Sequence, residues 1–130
     1  MTEKLKAMVL SNDILIKEDL NLISNINAQN PKGMTALMLA SKGGDLELVE
    51  ELLDNGADID MQDNDGDTAL MYASRSNKLK VVELLLQRGA NLSLRNKRGR
   101  TAVMYAINLG YRDVRFKLIE YGADYRLREY

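Results

Sequence analysis

Three carboxylates at alternate positions, Asp63, Asp65 and Asp67, come nearest to a reactive cluster in this chain of 130 residues. Asp63-Asn64-Asp65-Gly66-Asp67 has the opening of a calcium loop, in which alternate oxygens converge on one cation. The pattern then breaks. The sixth position of such a loop needs glycine and is Thr68, and the twelfth needs a bidentate glutamate and is Ser74. No metal site is expected. Histidine and cysteine are both absent, so neither a Ser-His or Cys-His nucleophile pair nor an ordinary zinc site can be built. Acid–base work would fall to carboxylates, lysine or tyrosine on exposed turns with no convergent pocket. Gly43-Gly44 is not followed by the Gly-Lys-Ser/Thr of a phosphate loop. The chain is expected to be non-enzymatic and to need no cofactor.

The remaining polar signals suit binding better than catalysis. Arg95, Lys97, Arg98 and Arg100 form a basic cluster of the kind that attracts nucleic acid. Ten acids and no bases stand in residues 43–74, however, and would repel phosphate, so no nucleic-acid partner is expected. Tyr72 and Tyr105 occupy equivalent places in two similar segments. Arg75 and Asn108 follow each three residues later, on the same face if the segments are helical. Tyrosine and arginine are common interface anchors. The alternative is that the rings pack between units with only the hydroxyl exposed.

What must position these residues is a repeat. Gly33, Gly66 and Gly99 follow one another at steps of 33 residues, as do Thr35, Thr68 and Thr101, and Ala40, Ala73 and Ala106. A fixed period of this length implies stacked units, each burying its apolar side against the next. Every unit opens with a polar turn containing glycine, and a threonine suited to capping a helix follows two residues later. A short first helix comes next, then a turn at Gly43-Gly44, Ser76-Asn77 or Leu109-Gly110, then a second helix rich in large apolar residues. In the last unit those are Val114, Phe116, Leu118 and Ile119, and each second helix ends at a glycine (Gly56, Gly89, Gly122).

Gly-x-Thr-Ala-Leu-Met-x-Ala, Val81-Val82-Glu83-Leu84-Leu85-Leu86 and the recurrent Gly-Ala-Asn/Asp resemble ankyrin repeats. The resemblance implies an all-α solenoid of antiparallel helix pairs joined by β-turn fingers, with a concave face built from fingers and first helices. The chain departs from the family's Thr-Pro-Leu-His. Alanine replaces proline at Ala36, Ala69 and Ala102, and methionine replaces histidine at Met38, Met71 and Met104. In the family that histidine bonds the threonine and links units; a methionine column is expected to fill the space by dispersion instead.

The expected organisation is one domain: a degenerate N-terminal cap over 1–29, repeats over 30–62 and 63–95, and a C-terminal capping repeat over 96–130. The cap reads as two helices, around Glu3 to Leu10 and Ile14 to Ile23. Arg115 and Lys117 stand where Val82 and Leu84 stand one unit earlier, which suits an outer face. Tyr111, Tyr121, Tyr125 and Tyr130 are expected to shield that end, and both ends read as closed. No apolar run is long enough to span a membrane, and the cysteine-free composition fits a cytoplasmic protein.

The net charge of −1 conceals a separation, because residues 75–130 hold thirteen bases and five acids. The expected concave face is therefore bipolar, unless neighbouring fingertip charges simply pair. The expected function is protein–protein interaction, as adaptor, inhibitor or neutralising partner, by a monomer with weak self-association. Contacts are assigned to the fingers (Met34, Asp65, Asp67, Lys97, Arg98, Arg100) and the first helices (Lys42, Tyr72, Arg75, Tyr105, Asn108). The alternative function is a structural or self-associating module that docks through complementary acidic and basic ends.

Overall fold

A computed structural model describes residues 25–124 and 126. The two helices expected around Glu3 to Leu10 and Ile14 to Ile23, together with Tyr125 and Tyr130, lie outside these residues. Among the described residues there are six helices and no strand. They are α1 (Ala36–Gly43), α2 (Leu46–Asp54), α3 (Ala69–Arg75), α4 (Leu79–Gln87), α5 (Ala102–Leu109) and α6 (Arg112–Glu120). The first helices α1, α3 and α5 pack in one layer and the second helices α2, α4 and α6 in another. No described helix is long and apolar enough to cross a membrane.

Local chemistry sets the helix boundaries. Thr35 and Thr68 are extended N-caps whose side chains accept from the Met38 and Met71 N–H groups, at 3.3 and 3.2 Å. Thr101 caps α5 in the same backbone conformation, yet its buried hydroxyl has no partner. The methionine that replaces the family histidine does more than fill space. Met38 Sδ accepts from the Thr35 N–H at 3.5 Å, completing a reciprocal cap. Between helices, Gly44, Asn77 and Gly110 take positive φ, with asparagine tolerating the left-handed region where the other two units use glycine.

One apolar core runs through all the units. Leu37, Met38, Leu48, Leu52, Leu70, Met71, Leu85 and Leu118 are essentially inaccessible. Helices this short are marginal alone, so burial between layers holds them. Ala40, Ala73 and Ala106 are buried where the first helices meet, and their small size permits the close spacing. Phe116, expected among the apolar residues of α6, is instead 71% exposed. It falls 33 residues after Glu83 and 66 after Glu50, on the side that α2 and α4 turn to water. Arg115 is exposed as expected, while Lys117 is half-buried and pairs with Glu120 at 3.3 Å. Tyr121 remains substantially exposed and Tyr111 is half-buried.

Candidate functional site

The fingers are tied into a row by the backbone. The Asn64 N–H donates to the Lys32 carbonyl at 3.0 Å, and the Lys97 N–H donates to the Asp65 carbonyl at 2.9 Å. Gln29 and Gln62 each bridge a glycine carbonyl of their own finger and a carbonyl of the next unit. Glycine is required where the fingers come this close. Gly66 has φ +82°, and a Cβ there would meet the Asn96 Cα and the Lys97 nitrogen at 2.9 Å.

Each finger is closed from within by an Asn or Asp at its base. Asn30, Asp63 and Asn96 each accept, through one side-chain oxygen, from the N–H groups two and four residues later. In the second and third units the same residue also meets a tyrosine nine residues on. The Tyr72 hydroxyl donates to the Asp63 carboxylate, and Asn96 Nδ2 donates to the Tyr105 hydroxyl at 2.9 Å. Leu39 occupies the tyrosine position of the first unit, so that unit lacks the link. Burial, then the bond to Asp63, raise the Tyr72 hydroxyl above the usual tyrosine range.

Asp67 joins the two systems. It accepts from Asn96 Nδ2 at 2.8 Å and lies 3.4 Å from the Arg75 guanidinium. Arg75 is stacked over the Tyr72 ring at 4.4 Å from its centroid and leans on Tyr105 at 5.5 Å. Arg100 stands on Tyr105 as well, at 5.7 Å. The result is an Asp–Tyr–Arg–Tyr–Asn cluster bridging the second and third units, with arginine at its outer edge.

A family model described as ankyrin repeats, three copies, matches residues 5–96. The chain belongs to the ankyrin-repeat family. The match ends at the base of the third finger, and α5 and α6 continue the same ankyrin geometry beyond it. No curated protein matches the chain.

Against the ankyrin frame, the eleven residues assigned to binding divide into two groups. Lys42, Asp65, Lys97, Arg98 and Asn108 are exposed, and Arg75 and Arg100 are half-buried. Met34, Asp67, Tyr72 and Tyr105 are buried, so the surface presents little of them. Met34 packs into the core, and the other three are consumed by the cluster. Neither hydroxyl of the two tyrosines reaches solvent in the way that packing between units was expected to leave it. The acidic trio is reduced in the same way. Asp63 and Asp67 are 7% and 4% exposed, and their oxygens serve the finger, Tyr72, Asn96 and Arg75.

The charge separation runs mainly along the stack, with two bases and ten acids in residues 30–74 and eleven bases and four acids in residues 75–124. Fingers and first helices (30–43, 63–75 and 96–109) carry six bases and three acids, of which only Asp65 is exposed. The rest of residues 44–124 carries seven bases and eleven acids, concentrated on α2 and the loop after it. The sequence held one signal for the cluster, the equal nine-residue spacing of Asp63 to Tyr72 and Asn96 to Tyr105.

Proposed function

We propose that this protein is a non-catalytic binding scaffold that holds another protein on the face made by its fingers and first helices. Ankyrin repeats are generally protein–protein interaction modules, and one observation supports that use here. Along the stack, buried positions repeat almost unchanged (Thr35, Thr68, Thr101; Ala40, Ala73, Ala106), whereas exposed positions on this face change chemistry from unit to unit. Lys32, Asp65 and Arg98 share one register, and Lys42, Arg75 and Asn108 another. A stack needs identical interiors; a reading surface needs a varied exterior. The contact set is Lys42, Asp65, Arg75, Lys97, Arg98, Arg100 and Asn108, supported from beneath by Met34, Asp67, Tyr72 and Tyr105.

The working unit is taken to be a monomer, and a cytoplasmic setting accords with the absence of cysteine. Converting Lys97 and Arg98 to glutamate is expected to weaken partner binding at least ~10-fold, since rim charges govern encounter and complementarity. Both side chains are exposed, so the melting temperature should hold within about 2 °C. Unaltered affinity would refute the face assignment.

A second reading, self-association, is favoured by the opposite charge of the two ends, the basic last unit of one copy docking on the acidic α2 region of another. Light scattering over a salt series separates the two. A species larger than a monomer that dissociates as salt rises supports self-association, and a monomer at every salt concentration rejects it.

A further inference from the structure

Arg75 differs from the exposed lysines and arginine of this face in being held in place before anything binds. Its guanidinium is stacked on Tyr72 at 4.4 Å, flanked by Tyr105 at 5.5 Å and braced by Asp67 at 3.4 Å. About a third of its side chain stays accessible. The Asp67 contact is too long for a strong hydrogen bond, so the brace orients the fork without saturating it. The exposed cations Lys42, Lys97 and Arg98 have no such support and must be ordered on binding. Immobilising a flexible side chain costs about 0.5–1.5 kcal/mol, which a preorganised one avoids. Arginine also offers a planar fork matched to carboxylate oxygens, which lysine lacks.

We propose that Arg75 is the carboxylate anchor of this face, and that the partner presents an extended, acid-rich protein segment running from Arg75 towards Lys97 and Arg98. Two observations converge on this. The exposed and half-buried cations of the face outnumber its single exposed acid, Asp65. The acids that would have balanced them, Asp63 and Asp67, are turned inward to build the platform under Arg75. The inference rests on the binding reading above and specifies the partner chemistry.

The test uses the full chain and a fluorescein-labelled, end-capped octaglutamate, with octalysine and an eight-nucleotide oligothymidylate as the other arms, read by fluorescence anisotropy. Octaglutamate should bind more tightly than either. Arg75→Lys keeps the charge and removes the fork, and should weaken binding at least ~10-fold, as expected of an anchor. Lys80→Gln, at an exposed position of α4, should change it less than about two-fold, as a distant solvent-exposed charge does. Tyr72→Leu copies Leu39 of the first unit, removes the stacking plate and leaves Arg75 in place. It should weaken binding ~5-fold or more, so the inference is decided even if Arg75→Lys folds poorly. Arg75→Lys and Tyr72→Leu both binding within two-fold of the parent overturn it, as do preference for oligothymidylate and absence of octaglutamate binding. If octaglutamate fails while a partner is still lost on Lys97→Glu/Arg98→Glu, the anchor inference falls and the binding face stands.

Discussion

At the scale of single residues, the unusual feature is a tyrosine hydroxyl given to a buried carboxylate. Tyr72 is 5% exposed and donates to Asp63, whose other oxygen already serves the Asp65 and Asp67 N–H groups. Removing the hydroxyl by Tyr72→Phe should cost about 1–3 kcal/mol, because Asp63 loses a donor it cannot replace with water. The same bond gives a pH signature. An unfolded tyrosine ionises near pH 10, whereas burial and Asp63 keep the folded Tyr72 protonated to higher pH. Between those values the folded state holds the extra proton, so stability falls as pH rises. Urea midpoints at pH 8 and pH 10.5 should therefore drop further for the parent than for Tyr72→Phe; equal drops contradict the buried link. Little of this was legible in the sequence. An aspartate two residues from another in a polar turn reads as solvated; Thr68 and Ser74 rule against a calcium loop, but only the nine-residue register to tyrosine, seen twice, points to a finger brace. Thr35, Thr68 and Thr101 were legible because a capping residue answers a local backbone demand.

At the scale of elements, glycines of the same turn carry unequal burdens. Gly33, Gly66 and Gly99 share a positive φ, and that much follows from sequence. What the neighbouring unit adds does not. A Cβ at Gly66 would press on backbone of the third finger at 2.9 Å, whereas one at Gly99 meets nothing within 4 Å. Alanine at either site bears the left-handed cost of about 1–2 kcal/mol. Gly66→Ala should cost at least about 1 kcal/mol more than Gly99→Ala, since backbone, unlike a side chain, cannot swing aside. Thermal denaturation of the two variants checks this, and equal losses would mean the fingers are not in register. Phe116 makes a similar point. It belongs to an apolar-rich helix, yet it stands where the earlier units carry Glu50 and Glu83, and it is exposed.

At the scale of the whole molecule, the core is continuous from Met34 to Ala123, so damage in the middle should be felt throughout. Leu85 is fully buried, and Leu85→Ala should lower stability by about 2–5 kcal/mol through a cavity the layers cannot close. Calorimetry should still show one transition; separate melting of the last helix pair would contradict a shared core. The period of 33 made the fold readable because stacking demands sameness. The proposed binding face was only half readable because the charges exposed there are those left over after the interior has claimed Asp63 and Asp67. The account stands or falls on that face, and the most direct measurement is hydrogen–deuterium exchange of the protein with and without its captured partner. Protection should concentrate in residues 63–75 and 95–109. Protection confined to Leu46–Asp54, Leu79–Gln87 and Arg112–Glu120 would place the partner on the opposite layer and contradict the account.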